Sequence, residues 1–169
     1  MNAFDGLELK GIMDKYKLTL SVAESLTSGN IQALIGSISG ASTFFEGGIT
    51  TYTLKQKVRQ LGVNREHARE VNSVSERVAI EMAQGVCRRF KSDIGIGTTG
   101  YAEPSPEQDV DSPYAYFAIW RQDHKNLNGE LLTVQLEVGK NLNRTEMQRF
   151  LANKVLITLM EILHGSYPI

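Results

Sequence analysis

The sequence has little cysteine, no excess of basic residues and no long apolar run, and each shortage excludes a class of protein. Its single cysteine, Cys87, excludes an intramolecular disulfide and a zinc site built from several cysteines. A formal charge of −1 leaves no basic surface for nucleic acid. No stretch approaches the roughly 20 apolar residues of a membrane span. We therefore expect neither a nucleic-acid partner nor a membrane partner.

The N-terminal segment and the spacing of metal-binding residue types exclude two further possibilities. Charged residues interrupt residues 1–17, so no secretory signal peptide is predicted, and the single cysteine favours a reducing compartment. A cytoplasmic location is the expectation. No His, Cys or carboxylate cluster has the spacing of metal ligands, so we predict no metal and no cofactor.

The hydrophobic pattern predicts alternating helices and strands. At 169 residues the chain can bury a sizeable core, and we expect residues 1–169 to form a single domain. Periodicity and capping signals predict helices at 5–16, 26–38, 55–61 and 145–163, and a further helix that follows Ser73 and reaches about Arg89. Alternating or β-branched runs predict strands at 18–22, 49–53, 94–98, 114–120 and 131–138. Because βα units favour parallel pairing and the last two strands favour a hairpin, we predict an α/β fold, a three-layer α/β/α sandwich with a mixed sheet.

Two boundaries of this prediction rest on particular signals. The segment Ser73–Glu76 has the Ser-x-x-Glu spacing of a capping box, which predicts that Ser73 caps the helix that reaches about Arg89. The glycines and serines of residues 36–48 predict a loop, as do the three prolines of residues 103–113.

A hydroxyl-rich segment, Ala23-Glu24-Ser25-Leu26-Thr27-Ser28-Gly29, lies where a predicted strand ends and a predicted helix begins. Free backbone N–H groups and the positive end of the helix dipole converge at such a turn, so it can hold an anion or an oxyanion. A serine at this place can act as a nucleophile. Alternatively, Ser25 or Thr27 simply caps the helix.

A serine nucleophile needs a base, and the three histidines are poorly placed to supply it. They lie in a charged helix, in a polar hairpin turn and near the end of the sequence, at His67, His124 and His164. A lysine can serve instead when burial depresses its pKa towards neutrality. Lys57 is the candidate, with Lys55 as the weaker alternative, although a lone lysine is more often a solvated surface residue.

These segments, in their order along the chain, resemble the CinA C-terminal domain family. That family carries Ala-Glu-Ser-Cys-Thr-Gly-Gly, then Gly-Ser-Ser, then Gly-Gly before a Tyr-containing strand and Asn-Glu-Ala-Lys, then Gly-Val and Val-Ser-Glu. The matching segments here are 23–29, Gly40-Ala41-Ser42, Gly47–Tyr52, Leu54–Lys57, Leu61-Gly62-Val63 and Val74-Ser75-Glu76. The match spans about residues 18 to 101, and the ordered set is far more specific than any one block.

The resemblance implies a Ser/Lys amidohydrolase that converts nicotinamide mononucleotide to nicotinic acid mononucleotide and ammonia. By position, Ser25 matches the nucleophile, Lys57 the catalytic lysine and Tyr52 a site tyrosine, which we expect to be catalytic by shuttling a proton or holding the lysine. The substrate-binding positions that we carry over or infer are Thr27, Ser28, Gly29, Ser42 and Thr99. Taken singly, Tyr52 can be an ordinary strand aromatic, Ser42 a loop residue and Thr99 a turn residue. The expected partner is a small pyridine nucleotide, with a possible homo-oligomer.

The sequence departs from the family in the segment after Thr99-Gly100. The family continues with a glycine-rich loop, whereas this chain has Tyr101–Pro106, with Glu103 in place of a glycine and a negative charge where an anionic nucleotide would pass. Leu26 replaces the usual cysteine. Gly139-Lys140-Asn141 replaces Gly-Asp-Arg, so Arg144 or Arg149 would have to supply the missing arginine. Two alternatives therefore stay open: a catalytically degenerate member that binds a nucleotide or a protein partner without turnover, and a hydrolase of another small amide.

Overall fold

The computed structural model describes residues 4–125 and 128–166. Its strands are β1 (Leu20–Glu24), β2 (Phe45–Thr50), β3 (Ile94–Tyr101), β4 (Tyr114–Gln122) and β5 (Gly129–Val138). Its α-helices are α1 (Gly6–Tyr16), α2 (Asn30–Gly36), α3 (Leu54–Leu61), α4 (Arg65–Glu70), α5 (Glu76–Phe90) and α6 (Arg144–Ser166). Short 3-10 helices occupy Ala41–Thr43 and Pro106–Gln108.

The five strands form one mixed sheet in the order β2-β1-β3-β4-β5. β1 pairs in parallel with β2 and β3, and the remaining pairs, β3–β4 and β4–β5, are antiparallel. β1 is therefore a switch point, because the chain leaves it for β2 on one side and later returns to β3 on the other. In open α/β sheets such a point forms a crevice beyond the carboxyl ends of the strands, where ligands bind.

Helices cover both faces of the sheet, which confirms the predicted three-layer α/β/α sandwich. Leu20 and Val22 of β1 pack into the larger core, together with apolar residues of α1, α2 and α6. On the opposite face, Ala23 packs with Val78 and Met82 of α5. Among the described residues, no helix is long and apolar enough to cross a membrane.

Two predicted element boundaries near the sheet edge are wrong, and backbone conformation explains the first. α2 begins at Asn30 rather than Leu26, because Ser28 (φ 52°) and Gly29 (φ 95°) adopt left-handed conformations that no helix contains. β2 begins at Phe45 rather than Ile49. Its Gly47 and Gly48 are strand residues, and a Cβ there would lie 2.9 Å from the Phe90 ring and 2.5 Å from the Gln32 side chain.

The capping box predicted before α5 is also wrong. Ser73 does not cap the helix, because it lies outside it in a left-handed conformation with a φ of 63°. The N-cap is Ser75, whose side chain accepts a hydrogen bond from the Val78 amide. Ser73 and its left-handed neighbour Asn72 instead form a turn at the carboxyl end of the sheet, beside the cavity described below.

Candidate active site

Ser25 and Lys57 lie together at the carboxyl end of the sheet. Ser25 directly follows β1, and Lys57 is the fourth residue of α3, the helix that begins shortly after the neighbouring strand β2. Lys57 Nζ lies 2.8 Å from Ser25 Oγ, within hydrogen-bond reach and without an intervening water. The predicted pairing of these two side chains in space is therefore present, and it joins residues 32 positions apart.

Lys57 is buried against backbone carbonyls rather than paired with a carboxylate. Only 2% of its surface is exposed, and its ammonium donates hydrogen bonds to the carbonyls of Thr51 and Tyr52, each at 3.0 Å. Desolvation by burial lowers the pKa of Lys57 from its ordinary 10.5 to about 8. A shift of this size raises the neutral fraction at pH 7 by roughly 300-fold, to about a tenth. The sequence-based expectation of a depressed lysine pKa thus has a physical cause in the fold.

The N-terminus of α2 is occupied by Glu24, which the sequence analysis had not assigned a role. The Glu24 carboxylate is fully buried and accepts hydrogen bonds from the amides of Gly29, Ile31 and Gln32, and from the Gln32 side chain. Those amides are the ones that a ligand anion at this helix would have to reach. The expected anion site at the helix start is therefore filled by a side chain of the protein itself.

The same turn also engages the backbone amides of two predicted binding residues, Ser28 and Gly29. The Gly29 amide points to Glu24, and the Ser28 amide donates to the Ser25 carbonyl, so neither is available to an oxyanion. In the described part of the chain, the amides of Leu26 and Thr27 donate no hydrogen bond. Leu26 lines the cavity next to Ser25, which makes its amide the better-placed donor.

Threonines from β3 support the serine turn from beneath. Thr98 Oγ1 lies 2.9 Å from Thr27 Oγ1 and accepts a long hydrogen bond of 3.4 Å from the Ser25 amide. Thr99 is buried on the cavity wall and donates to the Ser73 carbonyl at 2.6 Å. Thr27 thus lies behind Ser25 as a support, whereas Thr99, the other predicted binding threonine, lines the cavity.

The Tyr52 side chain lies at the mouth of the cavity rather than beside the lysine amine. It is half exposed, and its hydroxyl accepts a hydrogen bond from Arg144 Nη2. Arg144 also forms an ion pair with Glu103 through Nη1. Of the two arginines left open by the sequence, Arg144 therefore lines the cavity, at the first residue of α6, and Arg149 does not.

The cavity in front of Ser25 has a volume of about 480 Å³, within the usual range for small-molecule sites. Its inner wall contains Ser25, Lys57 and Thr99, and its outer part contains four polar or charged side chains, those of Tyr52, Tyr101, Glu103 and Arg144. In the part of the chain that the structure covers, no group of His, Cys, Asp and Glu residues could hold a metal ion.

Ser42 is the one predicted binding residue that lies far from this cavity. It lies in the exposed 3-10 helix before β2, and β2 runs parallel to β1 with Phe45 beside Leu20. Ser42 is therefore at the amino end of the sheet, whereas Ser25 follows the carboxyl end, roughly 16 Å of strand away. The adjacency of β1 and β2 in the sheet, a strand order that the sequence did not reveal, decides this placement of Ser42.

Comparisons with known proteins agree with the architecture. A model of the CinA C-terminal domain matches residues 7–163. A CinA-like protein of Dictyoglomus thermophilum is 34% identical over 139 residues, which cover 80% of this chain and 32% of that protein. The chain spans about a third of the length of the curated relatives it matches.

Solved structures show the same fold. The competence or damage-inducible protein from Enterobacter asburiae superimposes with a TM-score of 0.83 at 24% identity, covering 94% of this chain and 95% of that one. A competence/damage inducible protein from Agrobacterium tumefaciens gives a TM-score of 0.75 at 27% identity, covering 96% and 99%. With a family model that matches nearly all of its length, the chain belongs to the CinA C-terminal domain family.

Proposed function

We propose that this protein is a Ser/Lys amidohydrolase that acts on a pyridine nucleotide amide, with nicotinamide mononucleotide converted to nicotinic acid mononucleotide and ammonia. The observation that carries the proposal is the 2.8 Å contact between Ser25 Oγ and a lysine amine that is buried at the base of a substrate-sized cavity. Burial lowers the pKa of that amine to about 8, which suits a general base near neutral pH.

The hydrogen-bond partners of Lys57 suit both protonation states of its amine. As an ammonium, Lys57 donates to Ser25 Oγ and to the Thr51 and Tyr52 carbonyls. A neutral amine has two N–H donors for the two carbonyls and one lone pair, which is left for the Ser25 hydroxyl once that hydroxyl turns to donate. Only a rotation of this hydroxyl is therefore needed before Lys57 takes the serine proton.

The chemistry follows from these contacts. Ser25 Oγ attacks the carboxamide carbon while its proton passes to Lys57, and the Leu26 amide is the candidate donor to the developing oxyanion. The Lys57 ammonium then protonates the departing nitrogen, which leaves as ammonia. The acyl group of the substrate stays bound to Ser25 Oγ as an ester. Water, deprotonated by the same lysine, attacks that ester and releases the carboxylic acid with the serine restored. Arg144 is the candidate partner for the substrate phosphate.

One observation favours the alternative of a family member that binds a protein partner without turnover, because it weighs against a nucleotide phosphate. The Arg144 guanidinium is already engaged by Glu103 and Tyr52, so the part of the cavity that would take a phosphate is occupied by the protein. The intact Ser25–Lys57 contact argues against this alternative, because a binder has no need for a buried lysine amine. A hydrolase of another small amide would use the same pair of residues.

Ammonia release tests the proposal. We expect the purified protein to release one ammonia per nicotinamide mononucleotide consumed, measured by a coupled assay with free nicotinamide and simple aliphatic amides alongside. Release from another amide but not from the mononucleotide would support the different-amide alternative. Stoichiometric binding of the mononucleotide without ammonia would contradict the proposal and support the non-catalytic binder.

The rate should depend on pH through Lys57. Only the neutral amine accepts the serine proton, and the pKa of about 8 means that this form is lost as pH falls below 8. We expect kcat/KM to rise about tenfold per pH unit well below pH 8 and to level off above it, measured by initial rates from pH 6 to 9.5. A profile that is flat or falling over this range would contradict the assignment of Lys57 as the base.

A further inference from the structure

Glu103 and Arg144 form a contact across the mouth of the cavity that the proposed chemistry does not require. The two residues are 41 positions apart, in the segment after β3 and at the first residue of α6. Arg144 Nη1 donates to Glu103 Oε1, and Nη2 donates to the Tyr52 hydroxyl. Both terminal nitrogens of the guanidinium, which lines the cavity, are thereby engaged.

A guanidinium recognises a phosphate and a carboxylate in the same way. Both ligands accept parallel N–H donors from the planar fork of the arginine, so they compete for the same atoms. A carboxylate of the protein that already sits on Arg144 must be displaced before a phosphate can take its place. The displaced carboxylate would then remain near the phosphate as a like charge, which adds to the cost.

We infer that Glu103 is a specificity-determining residue that acts as an internal competitor for the phosphate of the substrate. The inference rests on the proposed function in one respect, because it takes Arg144 as the phosphate partner of a nucleotide amide. Glu103 raises the dissociation constant of phosphate-bearing amides and leaves that of the corresponding phosphate-free nucleoside nearly unchanged. The affinity for the mononucleotide therefore exceeds the affinity for the nucleoside by a smaller factor than it would if Glu103 did not occupy Arg144.

The size of this effect is limited by solvent. The side chains of Arg144 and Glu103 are 44% and 54% exposed, and exposed ion pairs contribute little free energy. We therefore expect removal of the Glu103 charge to tighten mononucleotide binding by about fivefold rather than by orders of magnitude. The Kd of the nucleoside, which brings no phosphate to Arg144, should change by less than about twofold.

Another carboxylate of the same cavity provides a matched control. Glu107 lines the cavity as Glu103 does, but its carboxylate accepts a hydrogen bond from Ser105 and has no ion pair with Arg144. Glu107→Gln removes the same charge from the same cavity without freeing the guanidinium. Its effect on mononucleotide binding should be less than half of that of Glu103→Gln.

The experiment is calorimetric titration of nicotinamide mononucleotide and nicotinamide riboside into Ser25→Ala protein, which cannot consume them. The two glutamate substitutions are each added to this background. The expected result is an approximately fivefold lower Kd for the mononucleotide with Glu103→Gln alone, and little change for the riboside. An unchanged mononucleotide Kd, an equal gain for the riboside, an equal gain from Glu107→Gln, or no binding of the mononucleotide in any variant would each overturn the inference.

This design separates the inference from the proposed function. If the parental protein releases no ammonia but Glu103→Gln tightens mononucleotide binding selectively, Glu103 is the competitor in a protein that does not turn over the amide. If the parental protein releases ammonia and Glu103→Gln changes neither Kd, the hydrolase assignment stands and the role of Glu103 is wrong.

Discussion

Lys57→Met is expected to reduce amide hydrolysis by about a thousandfold or more while the protein stays folded. Removal of a general base costs about 10²- to 10⁴-fold, and among the described residues Lys57 is the base that is hydrogen-bonded to Ser25 Oγ. Methionine keeps the unbranched apolar stem of the lysine but has no titrating amine. Initial rates of ammonia release, compared with the parental protein at the same pH, measure the effect.

The fold should tolerate this substitution because two effects oppose each other. The Thr51 and Tyr52 carbonyls lose their hydrogen bonds, which destabilises the folded state. The cost of burying an ammonium, which is the reason for the lowered pKa of Lys57, is removed at the same time and offsets that loss below pH 8. Circular dichroism and the thermal midpoint should therefore stay close to the parental values.

Lys55→Met is the matched control for this prediction. Lys55 lies in the same helix but is exposed, and the same substitution there should leave the rate within about twofold. Ser25→Ala should be as inactive as Lys57→Met, and the double variant no worse than either, because a nucleophile and its base act as one unit. Parental turnover in Lys57→Met, or an equal loss in Lys55→Met, would rule out Lys57 as the base.

Glu24→Ala is expected to destabilise the protein by about 3–5 kcal/mol. The carboxylate is fully buried and accepts bonds from three backbone amides at the start of α2, and alanine leaves those donors without an acceptor. Removing a charged acceptor from buried donors costs more free energy of folding than removing an ordinary helix cap at the surface. Urea denaturation followed by circular dichroism measures the change in free energy of unfolding.

Two substitutions give the Glu24 prediction its controls. Glu24→Gln keeps one acceptor oxygen in nearly the same volume and should recover part of the lost stability. Glu46→Ala, at an exposed position on the neighbouring strand β2, should change the stability by less than about 0.5 kcal/mol. A loss below about 1 kcal/mol for Glu24→Ala would show that water replaces the carboxylate at the helix start.

Much of the architecture was predictable because it depends on patterns that are local in the chain. The apolar periodicity of α1, α5 and α6, the glycine that ends α3 and the alternating strands β4 and β5 all depend on neighbours within a few residues. The first residues of α2 and β2 were not predictable from such local patterns. Left-handed Ser28 and the close packing of Gly47 and Gly48 reflect contacts that the local pattern does not contain.

The same distinction between local patterns and distant contacts applies to the candidate site. The sequence by itself determined the ordered blocks that carry Ser25, Tyr52, Lys57 and Thr99, and these blocks identified the family. These residues were recognisable because each belongs to a short sequence block whose chemistry depends on residue type and order. Their proposed roles as nucleophile, base and binding residues stay predictions that the experiments above address.

Only the tertiary structure decided how those residues are surrounded. It placed Ser42 at the opposite end of the sheet, filled the start of α2 with Glu24 and brought Arg144 to Glu103. Each result depends on strand order, on parallel pairing or on a contact between distant segments. Such contacts arise from burial and pairing that involve the whole chain, so residue order alone does not specify them.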